Sequence, residues 1–123
     1  MFLNDWSEKR DMVRNFTGYY QDKDIDHAMS AYDHVDVLLA SYSYENYSGD
    51  AFVLYRDTRD GKLYEVHGSH CSCYGLEGQW EPEACDLQSL RHRLTEGSLG
   101  KDGAWSGNVF AKELAEVLKG LEA

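Results

Sequence analysis

Apolar residues recur along this chain at two different periods, and the period changes where the architecture should change. Asp5-Trp6-Ser7-Glu8 has the form of a capping box, an oxygen-bearing cap with a glutamate three residues on. Trp6, Val13 and Phe16 follow at near-helical spacing and predict a helix over about residues 5–15, closed by Gly18. Ile25, Ala28, Met29 and Tyr32 fit the same period, so a second helix is expected over residues 22–33. From Val35 to Tyr44 the period drops to two, with neither face cleanly polar, which predicts a strand covered on both sides. Residues 45–49 read as a turn, and Ala51–Arg56 and Lys62–His67 as two further strands joined at Asp60-Gly61. Gly68 and Ser69 are read as the end of the sheet. Irregular backbone is expected through Gly75, Gly78 and Pro82, the only proline. Asp86 then caps a third helix carrying Leu87, Leu90 and Leu94. Past a glycine-rich loop, Ser106 or Asn108 caps a last helix whose stripe is Phe110, Leu114, Val117, Leu118 and Leu121. The short connections predict an α+β fold, a single domain over residues 1–123. Its core is a three-stranded antiparallel β-meander packed against N- and C-terminal α-helices, with room for one extra edge strand.

Composition sharpens this picture. A chain of 123 residues with 42% hydrophobic and 13% aromatic content can bury a core. It has no apolar run near the ~20 residues that cross a bilayer. The N-terminal residues do not read as an export signal, and three cysteines fit free thiols in a reducing cytoplasm. The formal net charge is −10. Residues 1–83 hold 16 acids and 7 bases, a balance of −9, while residues 84–123 hold 6 acids and 5 bases. Such a field repels nucleic acid and acidic membranes and favours a basic partner, although acidity also serves plain solubility.

The residue chemistry offers several candidate sites. His70, Cys71, Cys73 and Cys85, with His67 nearby, carry the donors that zinc prefers, but a CxC pair is a poor knuckle. Cys71 beside His67 or His70 could form a thiolate–imidazolium pair, yet sequence neighbours seldom meet as a dyad, and free cysteines commonly pack as small apolar groups. The aspartates at 22, 24, 26, 33 and 36 lack the glycine and closing glutamate of a calcium loop and read as a solvated face. No phosphate loop and no basic groove for stacked bases is present. A protein interface is the remaining candidate. Tyr42, Tyr44, Tyr47, Tyr74 and Trp80 lie in or beside loops, among Glu45, Asp50, Glu77, Glu81 and Glu83. Aromatic anchors within an acidic rim suit a basic partner, and spaced carboxylates can stand in for a phosphate backbone. Against this, tyrosine is also an ordinary sheet residue.

The run EVHGSHCSCYGLEGQWEPE resembles a segment of small acidic proteins encoded by phages and prophages, over about residues 35–90. Those proteins usually carry no assigned activity, so the resemblance brings no catalytic residues. It implies a context in which genes of this size and charge encode inhibitors of host nucleases or CRISPR systems. The expectation is a non-enzymatic acidic binding protein in the cytoplasm of a bacterial host. It would need no cofactor and would occupy a basic surface of a nucleic-acid-binding protein through Tyr44, Glu45, Tyr47, Asp50, Tyr74, Glu77, Trp80, Glu81 and Glu83. The alternative is a zinc-binding or cysteine-dependent protein using His70–Cys85.

Overall fold

A computed structural model describes residues 1–45, 47–71, 75–101 and 108–122. The protein is α+β, built on a five-stranded mixed sheet in the order β1-β2-β3-β4-β5. The strands are β1 (Phe2–Asn4), β2 (Val35–Glu45), β3 (Ser48–Asp57), β4 (Leu63–His70) and β5 (Glu83–Cys85). The helices are α1 (Lys9–Thr17), α2 (Asp22–Met29), α3 (Leu87–Thr95) and α4 (Ala111–Glu122). The expected meander is its centre, β2–β3–β4, all antiparallel. The sheet is wider than expected because two three-residue strands flank that centre, β1 parallel to β2 and β5 antiparallel to β4.

The first helix begins later than the apolar spacing suggested. Phe2–Asn4 pair with Ala40–Tyr42, which draws the first residues into the sheet. The reciprocal cap moves to Glu8 and Asp11, whose carboxylate accepts the backbone N–H of Ser7 at 2.9 Å and of Glu8 at 3.3 Å. Gly18, at φ 77°, closes α1 as expected. Helix α2 stops at Met29 and tightens into a 3₁₀ turn over Ser30–Tyr32. The Lys9 ammonium binds the Tyr32 and Val35 carbonyls at 2.7 and 2.8 Å, which satisfies acceptors that the turn leaves open. Arg10 clamps α2 onto α1 through Asp22 (3.1 Å) and Asp26.

Strict alternation along β2 fails at one point. A bulge between Val37 and Leu39 shifts the register, so Val35 and Tyr42 share a face that a simple two-residue period would deny them. That face packs under α1 and α2, where Trp6, Met12, Val13, Phe16 and Tyr32 meet Ala40, Val53, Tyr55 and Val66. The opposite face carries Leu39, Phe52, Leu54 and Leu63 against Leu90, Leu94, Phe110, Leu114 and Leu118 of the α3–α4 side. Each fully buried leucine there stabilises the fold by roughly 2 kcal/mol. The Asp86 cap is present, its carboxylate accepting Ser89 N–H at 2.7 Å. Ser106, a proposed cap of the last helix, lies outside the described residues.

The sheet also runs past the expected break at Gly68. Strand β4 continues to His70, pairing Gly68 with Ala51 and His70 with Gly49. A Cβ on Gly68 would lie 2.9 Å from Leu76 Cδ2, so this glycine lets the following loop fold back onto the strand. Among the described residues, no helix is long and apolar enough to cross a membrane.

Candidate functional site

The β2–β3 hairpin gathers several of the expected interface residues at one end of the sheet. Tyr44, Gly49 and His70 lie side by side across three strands. A Cβ on Gly49 would sit 2.2 Å from His70 Nε2, so only glycine leaves room for the imidazole to lie across the strand. The ring then stacks on Tyr44, with centroids 5.3 Å apart. His70 Nδ1 lies 2.8 Å from the Cys71 carbonyl, an acceptor, so that nitrogen carries a proton. In the neutral ring, Nε2 therefore accepts from the Tyr42 hydroxyl, 2.6 Å away. Burial pushes the Tyr42 phenol up to about 12, with the charges of Asp5, Tyr44, Glu77 and Asp50 adding to the effect. Those groups mark the acidic surroundings of the pair. The Asp5 carboxylate also accepts Tyr44 N–H at 2.9 Å, tying the residues after β1 to this end.

Two tyrosines face outward here. Tyr44 is 44% exposed and Tyr47, in the two-residue connection between Glu45 and Ser48, is 75% exposed. Tyr47 has φ 64°, a left-handed conformation that costs a side-chain-bearing residue about 1 kcal/mol or more and that hairpin turns usually give to glycine. Glu77 joins this end to the α1–α2 corner, because its Cβ is 3.2 Å from the position of a Cβ on Gly18, next to the exposed Tyr19 and Tyr20.

Other expected residues are elsewhere. Trp80 is part of the core margin: it stacks on Tyr55 at 5.6 Å and meets Phe16 and Tyr32 edge-on. It is an anchor for the fold rather than a tip. Glu83 pairs with Glu65, about 17 Å along β4 from His70 at the usual strand rise, and Glu81 is exposed just before it. Cys73 and Tyr74 lie outside the described residues. The zinc set does not assemble from its remaining members. Cys85 pairs with Leu63, about 24 Å along the strand from His70. Burial first, then the Glu65 charge, pushes its thiol up to about 12, away from the thiolate that a metal or a nucleophile needs. Among the described residues, no three of His, Cys, Asp and Glu are grouped to hold a metal. His67 faces the α3–α4 side, opposite to His70, and binds Glu65 at 2.6 Å rather than Cys71.

That contact belongs to a network that joins β4 to α3. Glu65, buried, receives both arms of Arg93 at 2.7 and 2.5 Å as well as His67. Burial alone would raise its pKa, but the hydrogen bonds of Arg93 and His67 outweigh it and hold the carboxyl at about 2. The available signal was Arg93 on the Leu90–Leu94 stripe, aimed at the sheet with a carboxylate waiting between Leu63 and His67. Beyond this network, on the same face, a cleft of about 470 Å³ opens at the hairpin end. Phe52 and Phe110 form its apolar floor, and Asp50, His67, Ser69 and Asn108 its polar walls. Comparison with known families, with curated proteins and with solved structures found no match to this chain.

Proposed function

We propose that this is a small acidic binding protein of the kind that phages use as inhibitors. It would dock on a basic surface of a host nucleic-acid-binding protein, in the manner of an anti-CRISPR that offers carboxylates where phosphates would sit. The contact surface is the hairpin end, with Tyr44 and Tyr47 as anchors and Asp5, Glu45, Asp50 and Glu77 as the acidic rim. Trp80 and Glu83 take no part. The carrying observation is Tyr47: a large ring held three-quarters exposed at a position whose backbone favours glycine serves no packing purpose. Aromatic anchors at exposed tips supply binding energy at low entropic cost, and surrounding carboxylates steer a basic partner.

Tyr47→Gly separates fold from function. The variant should be more stable by about 1 kcal/mol, since the left-handed strain is relieved. It should also lose tenfold or more in affinity for its partner. Immobilised wild type and variant are compared for capture of basic proteins from bacterial lysate at low and high salt. A basic protein retained by wild type at low salt, released as salt rises and not held by Tyr47→Gly, supports the proposal. Equal capture by the two forms, or none by wild type at low salt, removes it.

A further inference from the structure

We infer that the uncovered edge of β4 at His67 receives an extended basic segment of the docking partner, added to the sheet as a further strand. This deepens the docking proposal and rests on it for the partner's identity, though not for the geometry of the edge. Strand β5 covers only the start of β4, and its pairing ends with Glu83 opposite Glu65. The same register carried on would set Glu81 opposite His67. Instead Trp80 turns away to Tyr55, Phe16 and Tyr32 and takes the chain off the edge. In an antiparallel ladder the N–H and C=O of one residue face the same neighbour, and those of the next residue face the other. Ser69 N–H points away from β3, because Gln79 Oε1 accepts it at 2.8 Å. His67, on the same parity, therefore directs both of its backbone groups outward. Among the described residues nothing pairs with them. His67 and Ser69 are both exposed. Gln79 marks the place where a strand fits: its amide oxygen takes the position of a strand carbonyl, while its Nε2 donates to Gly75 O at 3.1 Å.

Backbone groups on a sheet edge pair with any extended chain, so charge selects the occupant. Residues 63–90, which hold β4, β5 and the segment between them, contain five acids and no lysine or arginine. Glu77, Glu81 and Glu83 among them are exposed. Arg93, which reaches this strand from α3, is engaged by Glu65. A second copy of the chain would bring the same five acids against these, and like charges brought together at an interface oppose pairing. A basic segment meets the opposite sign. Cross-strand partners share a face of the sheet. The residue opposite His67 would thus send its side chain toward the cleft that His67, Ser69 and Phe110 line, where an apolar side chain fits. Its neighbours along the segment would point to the other face, the side on which Glu77 lies against Gly18 at the end of α1. A segment that alternates apolar and basic residues matches both.

The probe is an acetylated and amidated hexapeptide of alternating lysine and valine, titrated into the intact protein and followed by backbone amide NMR and hydrogen exchange. Saturable binding in the millimolar range is expected, with the His67 amide proton shifted and its exchange slowed severalfold at saturation. The valine opposite His67 faces the cleft and turns its own N–H to β4. N-methylation of the valines keeps every charge and removes those donors, so that peptide should bind at least tenfold more weakly. N-methylation of the lysines, whose N–H groups face away, should change binding little. Glutamate in place of lysine should abolish it. His67→Pro removes the outward N–H and leaves the ladder to β3 intact, so the folded variant should not bind the peptide. Tyr47→Gly should bind it as wild type does. Equal binding of the parent and valine-methylated peptides, equal binding of the glutamate peptide, or an unchanged His67 amide at saturation would each overturn the assignment. Protection of His67 that grows with protein concentration alone, with a dimer mass in sedimentation, would give the edge to a second copy and overturn it too. A basic protein captured through Tyr47 while the peptide leaves His67 unprotected overturns the edge and spares the docking surface. Peptide bound as described with no basic protein captured supports the edge and removes the docking proposal.

Discussion

Replacing Arg93 with leucine should lower the unfolding free energy at neutral pH by about 3 kcal/mol, near the lower end for a broken buried ion pair. The Glu65 carboxylate is almost wholly buried, and Arg93 donates two hydrogen bonds to it, at 2.7 and 2.5 Å. Without the guanidinium the charge stays inside the fold with only His67 and the weakly donating Cys85 thiol beside it. Part of the Arg93 side chain reaches solvent, which keeps the loss from being larger. Changing Glu65 to leucine as well should recover most of it, because two apolar side chains against Leu63 and Leu90 remove the desolvation cost altogether. Denaturant titration of both single variants and the double variant measures this, and additive losses would show that the pair is not coupled. The same network sets a pH dependence. Glu65 titrates at about 2 in the fold against an ordinary 4.5, so its contribution is fully present above about 4.5 and fades as pH falls toward 2. Arg93→Leu should therefore lose less stability than wild type between pH 5 and pH 3.

Gly49→Ala should cost a comparable amount, about 2–4 kcal/mol, through a different mechanism. The added methyl would stand 2.2 Å from His70 Nε2 and 2.7 Å from Cε1, in the middle of a ring rather than at a flexible end. Overpacking of that kind typically costs 1–3 kcal/mol. Moving the imidazole also breaks its bond to Tyr42, leaving a buried hydroxyl that adds about 1 kcal/mol or more. Near-ultraviolet circular dichroism should report the loss of the Tyr42–His70–Tyr44 stack together with the lower denaturation midpoint. Gly61→Ala is the internal comparison. A Cβ there meets nothing within 4 Å, so only the strain of φ +72° applies, about 1 kcal/mol. Equal losses at the two glycines would refute the packing argument.

Much of the fold could be read from local signals. The Asp86 cap, the Leu90–Leu94 stripe and the period of Phe110, Leu114 and Leu118 each depend on neighbours within a few residues, and the short turns dictated the β2–β3–β4 order. What escaped depends on partners far along the chain. Phe2 and Leu3 carry no period of their own, and they become a strand only because Ala40–Tyr42 present an open edge. The bulge in β2 is invisible to a two-residue count. Gly68 reads as a breaker until Leu76 and Gln79 are known to lie against it, Gln79 accepting Ser69 N–H at 2.8 Å. The candidate site divides in the same way. Tyr44 and Tyr47 were legible as aromatics at a turn, whereas Trp80 was misplaced, because nothing local to a glycine- and proline-rich stretch announces that its indole returns to Tyr55.

The parallel first strand has a consequence for solubility. Strand β2 is eleven residues long and rich in apolar side chains, the sort of border that recruits a second chain by backbone pairing. Here the leading residues occupy that border from Leu38 to Tyr44: Met1 takes Leu38 O and Ala40 N–H, Asp5 N–H takes Tyr42 O, and the Asp5 carboxylate takes Tyr44 N–H. Five residues thus act as a stopper against fibre-like self-association. The acidic side chain that finishes the stopper also borders the Tyr42–His70 pair at the hairpin end, so one carboxylate both closes the strand edge and adds to the negative charge of the proposed docking surface.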